Sequence, residues 1–299
     1  TGVQKIGHTG TLDPFADGLL PVCIGKATRL IQFMESHDKA YRVTVAFGRA
    51  TDTQDRTGQV VFEHKLTDTE RKELLKTDFA IVHQAVATLC SLTEQLPPLY
   101  SAVKVKGRPL YTYARKGQAV ERKPRPIKVY QAAVDHIRLN EELEAEITLT
   151  CSKGTYIRSL CDTLGQITGW GAHAAALRRI ESGPFSVNEA VTMDQLEKWL
   201  DGRDRSEALD ILSEKKVLLP LSAALSDRPG IQIDRTSAVA LMKGQIVFFE
   251  PACEPPAERV TVWCEDRLIA VAVLEKKEAD AWRIRTERVL IDHADFLRS

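Results

Sequence analysis

Hydrophobic and polar positions alternate from Tyr41 to Phe47, with Tyr41, Val43, Val45 and Phe47 on one face, which predicts a strand. Val129 to Leu139 and Leu143 to Cys151 predict two more, joined by the polar turn Asn140-Glu141-Glu142. After Thr155 the period becomes helical: Ile157, Leu160, Cys161 and Leu164 fall at i, i+3, i+4 and i+7, with Gly165 as the expected stop. Ala27 to Ser36 predicts a short helix, and Thr67-Asp68-Thr69-Glu70 is a capping box opening another. From about Val217 the pattern changes. Lys215-Lys216, Pro220 and Pro229-Gly230 mark a linker zone. Short apolar runs around Ile246–Phe249, Val260–Cys264, Leu268–Leu274 and Arg283–Leu290 then predict a compact all-β module. Strands and helices mixed without a strict βαβ rhythm predict an α+β fold in two domains, 1–216 and 217–299.

Composition narrows the classes. With 43% hydrophobic and 27% charged residues, the 299-residue chain can bury a core and is too apolar to be disordered. No apolar run approaches the roughly 18 residues that span a bilayer, and Thr1-Gly2-Val3-Gln4-Lys5 lacks the apolar core of a signal peptide. Cys23, Cys90, Cys151, Cys161, Cys253 and Cys264 are scattered with no Cys-x-x-Cys pair. They read as small core residues in a reducing compartment, so a cytoplasmic protein without a zinc ribbon is expected.

The charges cancel overall, 41 basic against 41 acidic, but not locally. Lys104, Lys106, Arg108, Arg115, Lys116, Arg122, Lys123, Arg125 and Lys128 share their window with Glu121 alone, and Tyr100, Tyr111, Tyr113 and Tyr130 lie in or beside it. Cations interleaved with rings suit an RNA backbone, because cations displace counterions and rings stack on bases. A solvated lysine-rich loop would look the same from composition alone.

Gly7-His8-Thr9-Gly10-Thr11-Leu12-Asp13-Pro14-Phe15-Ala16-Asp17-Gly18 predicts an irregular polar loop, followed by Leu19-Leu20-Pro21-Val22-Cys23-Ile24-Gly25, which reads as buried. A polar loop on rigid backing is how sites are commonly built, though Asp13-Pro14 by itself only starts a turn. Lys5-Ile6-Gly7-His8-Thr9-Gly10-Thr11-Leu12-Asp13-Pro14 resembles the signature of the bacterial tRNA pseudouridine-55 synthases of the TruB type. Asp38-Lys39-Ala40-Tyr41-Arg42-Val43 resembles the second motif of that family, and Gly48-Arg49-Ala50-Thr51-Asp52-Thr53-Gln54-Asp55 follows in order. Pro98-Leu99-Tyr100-Ser101-Ala102-Val103-Lys104 and Tyr111-Thr112-Tyr113-Ala114-Arg115-Lys116-Gly117 are similar to its RNA-gripping insertion, about 98–128. Cys151-Ser152-Lys153-Gly154-Thr155-Tyr156-Ile157-Arg158-Ser159-Leu160 resembles the third motif, and Ala176-Leu177-Arg178-Arg179 the stretch after it. Residues 217–299 resemble the family's PUA-like RNA-binding domain more loosely.

The resemblance implies a pseudouridine synthase fold: a mixed, mainly antiparallel sheet flanked by helices, with a small C-terminal PUA-like β domain. It implies isomerisation of uridine 55 in the T-arm of tRNA, by base flipping and Asp-assisted cleavage and rejoining of the glycosidic bond, in a monomer needing neither cofactor nor metal. Asp13 becomes the catalytic carboxylate, as nucleophile or as base, and in either role it must be ionised; Arg158 is the implied cation beside it. Taken alone, Arg158 reads as an i,i+4 partner of Asp162. Tyr41 is implied to stack on the target base, Tyr156 and Leu177 to line its pocket, and His8 to occupy the space the flipped base leaves. Without the resemblance, Tyr41 and Leu177 read as core, Tyr156 as helix-end packing and His8 as a backbone cap. Lys104, Lys106, Arg108 and Arg115 are implied to hold phosphates, with the stem-loop recognised by shape.

Two features depart from the family pattern. The family begins with a strand and an Asp-Lys-Pro segment that would precede Thr1, so a sheet strand without its partner is expected near the site. Asp17 stands where the family often has Thr, a charge the pattern leaves unexplained. Three alternatives remain at this point. One is a non-catalytic binder that folds T-arms, and another is a guide-RNA-directed relative of the archaeal and eukaryotic type. The third is a Ser-x-x-Lys acylase read from Ser101 and Lys104, which lacks the Ser-Asp-Asn and Lys-Thr-Gly that such enzymes carry.

Overall fold

A computed structural model describes residues 3–249, 257–276, 282–293 and 296; Cys253 lies outside the described residues. The chain forms two compact units, one of residues 10–20 and 35–189, the other of residues 1–9, 21–34 and 190–299.

The first unit is built on a six-stranded sheet ordered Val129–Leu139, Leu143–Cys151, Lys39–Phe47, Ala172–Ser182, Phe185–Ser186, with Asp17–Gly18 running parallel beside Ala172–Ser182. The other pairings are antiparallel. Alternation decides its two faces: Val43 lies opposite Ile147 and Leu177, and Val45 opposite Ala145 and Ala174. These side chains form one core with helices Asp68–Lys76, Ala80–Thr88 and Ile157–Thr168. On the opposite face Arg42 faces Asp135 and Glu146 at 4.0 and 3.8 Å.

Local chemistry sets most boundaries. The capping box forms as expected, Glu70 N donating to Thr67 Oγ1 while Thr67 N donates to Glu70 Oε2. Helix Ile157–Thr168 does not stop at Gly165; it ends at Gly169, which adopts the left-handed conformation. Gly165 is instead a close-approach position, where a Cβ would run into the backbone of Gly171 and Ala172 as the chain turns into its next strand. The helix predicted over 27–36 begins as a 3-10 turn, Gly25–Leu30, and becomes α-helical only over Ile31–Met34. The loop predicted from Gly7 to Gly18 is strand at both ends, Ile6–His8 and Asp17–Gly18. The apolar run after it alternates: Leu19 and Cys23 are buried, whereas Leu20 and Val22 are exposed.

The second unit carries a five-stranded sheet ordered Gly230–Gln232, Arg259–Cys264, Arg267–Lys276, Trp282–Val289, Val247–Phe249, its first pairing parallel and the rest antiparallel. It is not all-β. Helix Arg235–Met242, capped by Asp234, buries Ala238 and Leu241 against this sheet. Four described cysteines are buried as expected, but Cys90 is exposed on a 3-10 turn.

Candidate active site

Residues 10–20 form the loop that carries Asp13. Ala16 N donates to Asp13 O at 2.9 Å, closing a turn over Pro14 and Phe15, and Phe15 and Ala16 rest on the sheet core. Arg179, only 1% exposed, clamps both ends: its Nη2 donates to Gly10 O at 3.2 Å and its Nε to Leu19 O at 2.7 Å. Gly18, at φ +103, lies so close to the Arg179 backbone that a side chain has no room. Asp17 pairs on the surface with Arg178 at 3.6 Å, opposite it in the parallel register, which accounts for its charge locally.

Asp13 meets Arg158 in a bidentate ion pair, Nε to Oδ2 at 2.8 Å and Nη2 to Oδ1 at 3.0 Å. The Arg158 side chain is 4% exposed and that of Asp13 33%, so the cation is embedded while the carboxylate opens outward. Arg158 Nη1 also donates to Thr53 O at 2.9 Å and Nη2 to Tyr100 O at 3.0 Å. Behind it, at 3.6 Å from Nη1, stands the buried Asp55. Asp55 Oδ1 accepts from Thr57 N, Thr57 Oγ1 and Thr53 Oγ1 at 2.9, 2.6 and 2.9 Å, which fixes that second carboxylate. Arg158 does not pair with Asp162, whose Oδ2 accepts from Gln54 and Gln166 instead.

Tyr41 lies on the same sheet face, opposite Leu149 and Arg179. Burial, with smaller contributions from Cys151 and Asp13, pushes its phenol up to about 12 against the pull of a hydrogen bond with Arg179. Tyr41 is therefore a neutral ring at ordinary pH. Leu177 is buried beside Val43 in the core. Tyr156, half-buried, is the N-cap of the helix that carries Arg158. His8 is exposed at the end of its strand, opposite Val22, in the other compact unit.

The basic window folds into a hairpin, Lys104–Val105 with Arg108–Pro109, turned at Lys106-Gly107 with both φ positive, and then helix Leu110–Ala114. Lys104, Lys106, Arg108 and Arg115 are all exposed, and Arg115 lies over the Tyr111 ring at 5.4 Å. Among the described residues no group of His, Cys, Asp or Glu is placed to hold a metal ion, and no helix is long and apolar enough to cross a membrane.

Sequence reasoning missed Asp55 and Arg179. Asp55 carried one signal, its setting between Thr53 and Thr57, whose short hydroxyl side chains suit local hydrogen bonding to a carboxylate.

A buried arginine presenting one acidic side chain on an α+β sheet is compatible with many chemistries, and comparison with protein families gives the class. The N-terminal domain model of TruB family pseudouridylate synthases matches residues 1–157, and the C-terminal domain model of tRNA pseudouridylate synthase B matches residues 158–226. The chain belongs to the TruB family of pseudouridylate synthases, which are isomerases. Similar proteins named tRNA pseudouridine synthase B include one from Saccharophagus degradans, 41% identical over 82% of this chain and 74% of its own length. Another, from Photorhabdus laumondii, is 37% identical over 98% of this chain and 88% of its own length. Among solved structures, a chain of a Cbf5–Nop10–Gar1 complex superposes with a TM-score of 0.65 over 98% of this chain and 79% of that one, at 23% identity, a likeness of fold.

Proposed function

We propose that this chain isomerises uridine 55 in the T-arm of tRNA to pseudouridine. The reaction breaks the bond from base N1 to the ribose, turns the base and joins its C5 to the same ribose carbon, while the C5 proton leaves and N1 gains one. The observation that carries the reading is the Asp13–Arg158 pair: an acidic side chain, one-third exposed, held by an embedded guanidinium. Asp13 acts as nucleophile or base on the extruded nucleoside. Arg158 fixes its orientation, and Asp55 behind Arg158 keeps the guanidinium from turning away. Tyr41 stacks on the uracil as a neutral ring. Tyr156 and Leu177 line the nucleoside pocket, and His8 enters the gap left in the RNA. Extruding the base costs a few kcal/mol of stacking, which contacts elsewhere on the RNA must offset.

Lys104, Lys106, Arg108 and Arg115 supply those contacts along the T-arm backbone, and residues 217–299 act as a PUA-like RNA-binding domain beside a catalytic domain of residues 1–216. The relatives' names, tRNA pseudouridine synthase B, support a cytoplasmic setting; we take the enzyme to be a monomer that needs no metal or cofactor. The test is Asp13→Asn on a minimal T-arm hairpin, with product measured by mass spectrometry. Product is expected to vanish while RNA affinity stays within about threefold, because the loss falls on chemistry and not on phosphate contacts. Equal product from the variant removes Asp13 from the mechanism.

A further inference from the structure

Tyr156 breaks a rule of local chemistry. As the N-cap of helix Ile157–Thr168 it holds a position that prefers Ser, Thr, Asp or Asn, and its side chain makes no cap hydrogen bond. Its own backbone groups are held from far along the chain. Tyr156 N donates to Gln95 Oε1 at 2.8 Å, and Gln95 Nε2 donates back to Tyr156 O at 2.9 Å. Gln95 is 8% exposed and sits in strand Glu94–Gln95, directly opposite Arg125 of strand Arg125–Pro126. Those two strands are the stem from which the basic segment 98–128 emerges. A second tie runs from the same segment, where Tyr100 O accepts from Arg158 Nη2 at 3.0 Å.

We infer that Gln95 is a positioning residue: its carboxamide accepts from the N-cap N–H as the N3 side chain of a capping box would, holds the Tyr156 backbone while its ring serves the nucleoside pocket, and ties the stem of the RNA-gripping segment to the turn that aims Arg158 at Asp13. The inference rests on the function proposed above. An apolar side chain of similar length, Gln95→Met, removes both bonds. Gln95→Glu restores both only when its carboxyl is protonated, since a carboxylic acid can accept from Tyr156 N and donate to Tyr156 O; burial favours that form, while Arg125 opposite it and Arg158 two residues after Tyr156 favour the ionised one.

The experiment is single-turnover pseudouridine formation on a T-arm hairpin by the full chain, with hairpin affinity and melting temperature measured in parallel. Gln95→Met is expected to lower the rate about 10- to 100-fold, the scale of a small misplacement of reacting groups, with affinity within about twofold. Gln95→Glu is expected to be impaired at neutral pH and to recover relative to the unsubstituted chain as pH falls and its carboxyl takes up a proton. A wild-type rate in Gln95→Met overturns the inference, as does a rate loss matched by lost affinity, or no recovery of Gln95→Glu at low pH. Should Gln95→Met fail to fold, the pH profile of Gln95→Glu decides. If the unsubstituted chain forms no pseudouridine, the functional reading fails and takes the inference with it; if it is active and the variants behave as it does, the inference alone fails.

Discussion

A guanidinium taken out of water must find partners for its charge and for its N–H groups, or its burial costs several kcal/mol. Arg158 meets that demand with four hydrogen bonds, two to Asp13 and one each to the carbonyls of Thr53 and Tyr100, and with Asp55 facing it. Three separate segments are thereby tied to one side chain. The fork is what matters: Lys in its place is a point charge that cannot hold both Asp13 oxygens in a plane. Arg158→Lys is expected to lower the single-turnover rate about 100-fold, a cost typical of misplaced reacting groups. A rate within twofold of the unsubstituted chain would show that the bidentate geometry is dispensable. Asp13 and Arg158 were legible in the sequence through their motifs only, because a lone arginine four residues before an aspartate reads as a surface pair. The contacts of Asp55 and Gln95 were not legible, since each is made with a partner roughly a hundred or sixty residues away that no local pattern encodes.

Elements whose limits are set by neighbours in sequence were read correctly, and those set by distant contacts were not. The strands Lys39–Phe47, Val129–Leu139 and Leu143–Cys151 follow from alternation, and the Thr67 cap from its own four residues. Helix Ile157–Thr168 runs past Gly165 because the missing Cβ there serves packing against Gly171 and Ala172, which the sequence does not announce. Helix Arg235–Met242 escaped because it is short and carries β-branched Thr236 and Val239, so its own propensity is weak and the sheet beneath it decides. The Thr67 cap also gives a pH dependence. Hydrogen bonds from Thr67 N and Oγ1, with a smaller contribution from His64, hold the Glu70 carboxyl down at about 2, below its usual 4.5. Glu70 also accepts from Trp170 Nε1 at 3.3 Å, so the cap reaches the core. A carboxyl depressed in the folded state stabilises it above about pH 4.5, and that stabilisation fades as pH falls toward about 2. Glu70→Gln is therefore expected to be less stable than the unsubstituted chain at neutral pH, with the gap narrowing below about pH 4.5 in urea titrations. A gap independent of pH would mean the carboxylate contributes nothing specific.

Over the whole molecule, zero formal charge conceals a concentration of cations at the hairpin Lys104–Pro109 and the helix after it. Exposed surface charge of this kind adds little to stability, so its placement is better explained by RNA than by folding. Neutralising Lys104, Lys106 and Arg108 together is expected to weaken T-arm binding and to flatten the dependence of log affinity on log salt by about 3, as lost phosphate contacts release fewer counterions. An unchanged slope would mean the RNA docks elsewhere. That charge pattern was plain in the sequence. The grouping of residues 1–9 and 21–34 with 190–299 was not, because contacts distant in sequence make it. The most direct test of the central claim, that Asp13 held by Arg158 isomerises one flipped uridine, is position-resolved mapping of pseudouridine in full-length tRNA lacking modification. Conversion at position 55 alone by the unsubstituted chain, and none by Asp13→Asn at equal bound RNA, is the expected result. Conversion by Asp13→Asn, or conversion by the unsubstituted chain at uridines outside the T-arm but not at position 55, would contradict it.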